Sequence, residues 1–419
     1  MKDISEHNHM LTLRPIRRFY HAAAVLASTD SHASAIVASN ETPGTLSNQI
    51  HNLKPLDKPA LEKLKAERDP EKLFNLFNAN AHNKLVIENR FAFEDTISRL
   101  AGAQRFDYIE QLLEDQKTLP QGRREGFIVR IIMLYGRAGM TENAIQTFYD
   151  MHLYGCRRTV KSFNAALTVL TQTRDLVAIE SFLSEVPEKF GIEVDIFSVN
   201  IVVKALCDMG ILDKAYLFMV VMEKAGIRPD VFTYTTLISA FYKINRGEIG
   251  NGIWNLMVRK RCFPNLATFN VRVQYLVNGR RAWQANSVMA LMQNIGIKPD
   301  EVTYNLVIKG FCQARYLEMA KRVYSALHGN GYKPNVKIYQ TMIHYLLKGG
   351  EFDLAYTMCK DCMNRNWFPN VDTIYTLLDG LKKSKQVDKA IFIMRLARRR
   401  VPPFSPKQLS RLQLIFSDS

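Results

Sequence analysis

A chain of 419 residues is long enough for two or three ordinary globular domains, and its formal net charge of +16 selects for an anionic partner such as nucleic acid or a ribosome surface. Six scattered cysteines do not make a disulfide framework and point to an intracellular or organellar compartment. No apolar run approaches the roughly 18 residues that span a bilayer, so no membrane partner is expected.

The first forty residues differ in kind from the rest. From Met10 the chain runs MLTLRPIRRFYHAAAVLASTDSHASAIVAS, with Arg14, Arg17 and Arg18, six Ser or Thr, and no acid before Asp30. Basic, hydroxyl-rich and acid-poor composition is that of an organellar transit peptide, which processing removes. The run Arg18, Phe19, Tyr20, followed by His21 and three alanines, resembles a mitochondrial cleavage site. Asp3 and Glu6 are foreign to such a signal, which leaves Met1 or Met10 as the working start. Cleavage after Tyr20 would remove four cations and two acids and leave a charge of +14, so the basic character belongs to the body of the chain.

Residues 41–54 carry Pro, Gly and polar residues without period and read as a linker. Between 55 and 89 two short helical patterns, around LEKLKAERD and EKLFNLFNA, read as a degenerate opening hairpin or cap, since end units of a stack are commonly atypical. A tandem array then follows. Pro229, Pro264, Pro299, Pro334 and Pro369 are each 35 residues apart, and each is followed by Asp or Asn and then an apolar run. A period of this size means a solenoid, in which each unit buries its apolar face only against its neighbours. Repeats are placed at 90–124, 125–159, 160–195, 196–230, 231–265, 266–300, 301–335, 336–370 and 371–405, with a tail from 406 to 419.

The unit is a helical hairpin. In 231–265, Tyr234, Leu237, Ile238, Phe241 and Tyr242 make one amphipathic stripe, and Ile249, Ile253, Leu256 and Met257 make a second after a break at Asn245, Arg246 and Gly247. Thr233, with Ser162, Ser198, Thr268, Thr303 and Thr373 at the same place, is expected to cap the first helix. Gly139, Gly210 and Gly350 fall at the turn between helices, where a left-handed residue ends a helix. The twentieth position is Ala144, Ala215, Gly250, Ala285, Ala320, Ala355 or Ala390, a packing signature that lets helices approach closely. The fold class is therefore all-α, an α-solenoid of stacked helical hairpins.

The 35-residue period, the phrases PDVFTYTTLI and PDEVTYNLVIKGFCQA, the turn at position 15 and the alanine at position 20 resemble pentatricopeptide repeats of the plain 35-residue class, abundant in plant organelles. Tetratricopeptide repeats differ in period, and their Trp, Leu, Gly and Tyr signature is absent. The resemblance covers roughly 90–405 and is strongest from Val160 to Asn370. It implies a right-handed superhelix that binds single-stranded RNA along its concave face, one base per repeat, the base being identified by the fifth and last residues. Carried over, the pairs are Asn164 with Asp195, Asn200 with Asp230, Thr235 with Asn265, Asn270 with Asp300, and Asn305 with Asn335. Family usage then implies U-U-A-U followed by a pyrimidine. Short amide and hydroxyl side chains can both donate and accept at a base edge. Apolar residues at the first or second position can sandwich the bases.

Glu94, Val129 with Thr159, Gln340 with Asn370, and Tyr375 depart from the reading pattern. At position 13 the resemblance places phosphate contacts on Arg137, Lys243, Lys348 and Lys383; a cation at a helix C-terminus also complements the dipole. The groups Arg259 to Arg261, Arg280 with Arg281, and Arg398 to Arg400 are either further RNA contacts or a solvated edge.

No enzyme signature is present. Cys359 and Cys362 form one CxxC with no second pair and no nearby His, so neither a metal nor another cofactor is expected. Walker, dinucleotide and nucleophile-elbow motifs are absent, as is the His-x-Glu signature of the zinc deaminases. The chain is expected to bind rather than catalyse, and to take no small-molecule substrate. Two functions follow from the resemblance: a mitochondrial matrix or chloroplast stroma factor that stabilises, processes or guides translation of a transcript, or a structural subunit of the mitochondrial ribosome that contacts ribosomal RNA and mitoribosomal proteins.

Overall fold

The computed structural model describes residues 58–417; the expected transit peptide (1–40) and linker (41–54) lie outside the described residues. Every regular element among the described residues is helical. Three short helices come first, α1 (Lys58–Ala66), α2 (Pro70–Ala79) and α3 (Lys84–Glu88). Hairpins follow, formed by α4 (Arg90–Gly102) with α5 (Phe106–Thr118), α6 (Glu125–Arg137) with α7 (Thr141–Tyr149), α8 (Val160–Leu170) with α9 (Leu176–Phe190), and α10 (Ile196–Asp208) with α11 (Leu212–Lys224). The pattern continues through α12 (Val231–Lys243) with α13 (Gly247–Arg259), α14 (Leu266–Asn278) with α15 (Ala282–Asn294), α16 (Glu301–Gln313) with α17 (Leu317–Gly329), α18 (Val336–Lys348) with α19 (Phe352–Asn364), and α20 (Val371–Lys383) with α21 (Val387–Arg398). Residues 406–417, read from sequence as tail, form a last helix, α22 (Pro406–Ser417), because Leu412 and Ile415 make an apolar stripe that packs on α20.

The contacts divide the chain into two compact units, one ending at Ala240 and one starting at Phe241, the division falling inside α12. In the first unit α4, α6, α8 and α10 pack side by side in sequence order, and α7 fills the wedge between α6 and α8. In the second, α14, α16, α18 and α20 do the same, with α15 against α16 and α19 against α20. Within each unit consecutive first helices pack on one another, the arrangement of an α-solenoid.

Pro264, Pro299, Pro334 and Pro369 end the extended link before a first helix, and the residue after each is the cap, a place that Asp195 takes after Val194. Asp195, Asn265 and Asp300 accept the backbone N–H of the residue three further on, with φ and ψ in the extended region. Ser198, Thr268 and Thr303 sit at the third helical position and return a bond to the cap residue's own N–H, completing capping boxes. The expectation that position 3 itself caps the helix is thus corrected. The sequence offers two side-chain oxygens three residues apart, and the extended backbone at the Asp or Asn decides which one is the cap. Each such cap is worth about 1 kcal/mol.

Ala144, Ala215, Ala285, Ala320, Ala355 and Ala390 are all fully buried. At the same position a Cβ on Gly250 would lie 2.5 Å from the Tyr242 ring, which itself stacks on Tyr275 with centroids 4.0 Å apart. The inter-helix turns at Gly139, Gly210 and Gly350 have φ of 77°, 80° and 77°, as a left-handed helix stop requires.

Candidate nucleic-acid interface

Positions 2, 5, 9 and 13 of a repeat lie along one stripe of the first helix, opposite the buried stripe that includes positions 4, 7 and 8. In the first unit this stripe lines a groove of about 1150 Å³ whose residues come from four consecutive repeats. Its walls include the position-5 residues Val129, Asn164 and Asn200 and the last-position residues Asp195 and Asp230. Lys161, Phe197 and Phe232 stand at position 2, the two phenylalanines 68% and 55% exposed, which leaves their rings available to a stacked base.

The position-5 asparagines are held by their neighbours. Asn164 donates from Nδ2 to Asp195 Oδ1 at 3.1 Å, and Ser198 Oγ donates to Asn164 Oδ1 at 2.6 Å. Asn200 Nδ2 donates to both carboxylate oxygens of Asp230 at 3.2 Å, while Thr233 Oγ1 donates to Asn200 Oδ1 at 2.5 Å. In the second unit Asn270 Nδ2 donates to Asp300 Oδ1 at 3.2 Å, and Thr303 Oγ1 donates to Asn270 Oδ1 at 2.6 Å. One buried hydroxyl and one carboxylate therefore fix each amide in the same orientation. The amide oxygen is turned to the hydroxyl, and the NH2 group to the acid with one N–H to spare. Burial raises the Asp300 carboxyl, but the bonds from the Thr303 amide and hydroxyl and from Asn270 outweigh it and hold its pKa below the ordinary aspartate value.

The remaining two pairs differ. Asn335 turns away from Asn305 and donates to Glu301 Oε2 at 2.9 Å, and Asn305 Oδ1 instead accepts from Thr341 Oγ1 at 3.4 Å. The cause lies at position 3 of the following repeat, where Ile338 has no hydroxyl to close the triad. Thr235 is half-buried in the first unit, and Asn265 in the second is exposed while its Oδ1 caps α14.

The four position-13 cations are all exposed, but two are engaged. Arg137 Nη1 pairs with Glu94 Oε2 at 2.9 Å, so two residues singled out from the sequence neutralise each other. Lys383 pairs with Asp379 at 2.8 Å, while among the described residues Lys243 and Lys348 have no acid partner. Position 9 went unnoticed in the sequence. Thr168 and Lys204 line the first groove, the latter paired with Asp208, and Lys309 and His344 line a cavity of about 480 Å³ in the second unit that also includes Gln340 and Asn370. The signal that would have found them is helical spacing, four residues beyond each reader.

Among the described residues no cluster of three or more His, Cys, Asp or Glu is placed to hold a metal, and no helix is long and apolar enough to cross a membrane. Cys359 and Cys362 are buried in the core of the second unit.

Helical hairpins of about 35 residues, stacked within each unit so that equivalent polar side chains recur from repeat to repeat, define a helical-repeat protein. A family model described as the PPR repeat family matches residues 194–243, 264–313 and 299–340, and a second, the PPR repeat, matches 130–156 and 232–262. The chain belongs to the pentatricopeptide repeat family. It is similar to a mitochondrial pentatricopeptide repeat-containing protein of Arabidopsis thaliana, 63% identical over 210 residues that make up 50% of each chain. It is also similar to the small ribosomal subunit protein mS78 of Arabidopsis thaliana, 34% identical over 201 residues, 48% of this chain and 46% of that one. The crystal structure of the pentatricopeptide repeat protein PPR10 from maize matches at 18% identity with a TM-score of 0.48, covering 88% of this chain and 61% of that one. The chain spans about half the length of the curated relatives it matches.

Proposed function

We propose that this chain is a mitochondrial single-stranded RNA-binding protein whose repeats select bases through the residues at positions 5 and last. The observation that carries the reading is the triad of amide, carboxylate and buried hydroxyl, repeated at Asn164, Asn200 and Asn270 with near-identical distances. An amide held in one orientation offers a fixed donor, so a base that needs the opposite polarity leaves a polar group unpaired and is rejected. Under this reading Asn164 with Asp195, Asn200 with Asp230, and Asn270 with Asp300 select uracil. Thr235 with Asn265 selects adenine, and Asn305 with Asn335 takes a pyrimidine. Lys243 and Lys348 meet phosphates. The mitochondrial setting is supported by the transit-like start and by the name of the relative that is 63% identical.

The exchange Asn200→Thr with Asp230→Asn tests it. Thr235 already stands at position 5 and Asn265 already caps the next helix, so the chain itself tolerates both residues in those places. Preference at one base should move from U to A by about tenfold, in the range of a good base contact. An unchanged profile across all four bases sinks the reading.

A second role is favoured by the similarity to a small ribosomal subunit protein. In that role the same grooves hold ribosomal RNA, and neighbouring ribosomal proteins complete the contact.

A further inference from the structure

The second unit carries a cluster of aromatic and basic side chains outside the groove stripe. It is built from two adjacent inter-helix turns, one between α14 and α15 and one between α16 and α17. Trp283 and Tyr316 are 51% and 49% exposed and lie edge to face with ring centroids 5.8 Å apart. The turns also carry Arg280 and Arg315, both exposed. Among the described residues neither guanidinium has an ion-pair or hydrogen-bond partner. Glu318, the acid nearest to Arg315 in sequence, is engaged by Lys321 at 2.8 Å, and Asp300, the acid nearest to Arg280, is engaged by the Thr303 amide and by Asn270.

Arg280 and Arg315 both have left-handed backbone, with φ of 56° and 64°, where Gly139, Gly210 and Gly350 stand in other repeats. A cation's attraction to the last helical carbonyls is at most comparable with the conformational cost of a side chain at positive φ. Helix stability alone therefore gives no reason to prefer arginine at these turns. The turn is also held firmly: Arg281 lies over the Tyr275 ring at 4.7 Å, and that ring stacks on Tyr242. Trp283 rests edge-on against Phe311, so its exposed face is presented in a fixed direction.

We propose that this patch is an accessory contact for single-stranded RNA, in which the exposed face of Trp283 stacks one unpaired base, Tyr316, held edge to face beside it, borders that base, and Arg280 and Arg315 bind the phosphates on either side. A π-face accepts any base, and two unneutralised guanidiniums suit the flanking phosphodiesters, so the contact adds affinity and charge dependence without adding sequence choice. Trp, Tyr and Arg also favour protein interfaces, but unpaired like charges at the centre of a patch call for an anionic partner. The proposal rests on the RNA-binding reading above.

The test uses the full chain and a 30-nucleotide oligouridine. Trp254 is buried, and Trp367 is half-buried in the cavity that holds Gln340 and Asn370, so the readout is the difference between wild type and Trp283→Phe: the share of the quenching that comes from the exposed Trp283 indole should be lost in that variant, which keeps a ring against Phe311. Arg280→Gln with Arg315→Gln should weaken binding about tenfold at 100 mM salt. It should also make the slope of log affinity against log salt shallower by about 1.4, two contacts at about 0.7 each. Folding is controlled by the chain's own Gln104, which holds φ of 58° at the same turn position. Unchanged affinity and slope in the double variant, with wild-type binding and the Asn200 specificity switch intact, overturn the patch and leave the reading standing. Quenching at Trp283 with no specificity switch does the reverse. Loss of ribosome association with unchanged RNA binding would make the patch a protein contact and overturn this assignment.

Discussion

Thr233 shows how much a single buried oxygen decides. Its hydroxyl is fully buried and donates to Asn200 Oδ1 at 2.5 Å, while its backbone N–H bonds Asp230 at 2.8 Å. Thr233→Val preserves shape and backbone bond but leaves Asn200 Oδ1 without its donor in a residue only 8% exposed. The loss should be about 1 to 3 kcal/mol of local stability, the usual cost of a buried group left unpaired. The amide should also become free to turn over, so discrimination between U and A at that repeat should fall severalfold while affinity for the preferred strand falls less. Thr233→Ser must restore both properties, because Ser162 and Ser198 occupy the same place in other repeats. Binding titrations with paired probes differing at one base measure this. Equal discrimination in wild type and Thr233→Val would mean that the hydroxyl only supports the helix start.

At the level of single helices, the sequence made the starts plain and left their wiring obscure. First helices begin at Val160, Ile196, Val231, Leu266, Glu301, Val336 and Val371, directly after the Asp, Asn or Thr that the periodicity singles out, because extended link, cap and apolar stripe all point to the same residue. What could not be read was pairing between repeats. Glu94 is 43 residues from Arg137, and nothing local announces their contact. Lys117 is likewise buried against Thr147 from the next hairpin, although a lysine in an amphipathic helix ordinarily reads as solvated. Asp300 links cap and reader in one side chain, and its consequence has a defined sign. Its carboxyl pKa is lowered in the fold, so its contribution is fully present above the ordinary aspartate value, near pH 4, and is lost as pH falls through the lower folded value. At pH 7, Asp300→Ala should speed amide exchange at Thr303 and Tyr304 by roughly fivefold, corresponding to about 1 kcal/mol of capping. The gap between variant and wild type should close as the pH falls from the ordinary aspartate value through the lower folded value. A gap that stays constant through that fall would show that the carboxylate charge is not what stabilises α16.

For the molecule as a whole, charge is the property that separates the two proposed settings. A net charge of +16 draws the chain to any polyanion, and exposed cations with no acid partner among the described residues, such as Lys243, Lys348, Arg280 and Arg315, are able to displace counterions from a bound strand. Arg137 and Lys383 contribute less, since each would have to leave an acid first. Four phosphate contacts to a single strand give a slope of log affinity against log salt of about −2.8, which is roughly a 50-fold loss between 50 and 200 mM. A free transcript factor held mainly by these contacts should therefore leave its RNA as salt is raised through that range. A ribosomal subunit seated among proteins, with buried apolar contacts that salt does not screen, should instead keep sedimenting with its particle. Sedimentation of tagged chain from isolated mitochondria at 50 and 500 mM salt distinguishes the two. Release into the light fractions at 500 mM supports the transcript factor, and steady migration with a ribosomal subunit at both concentrations removes that reading in favour of the ribosome.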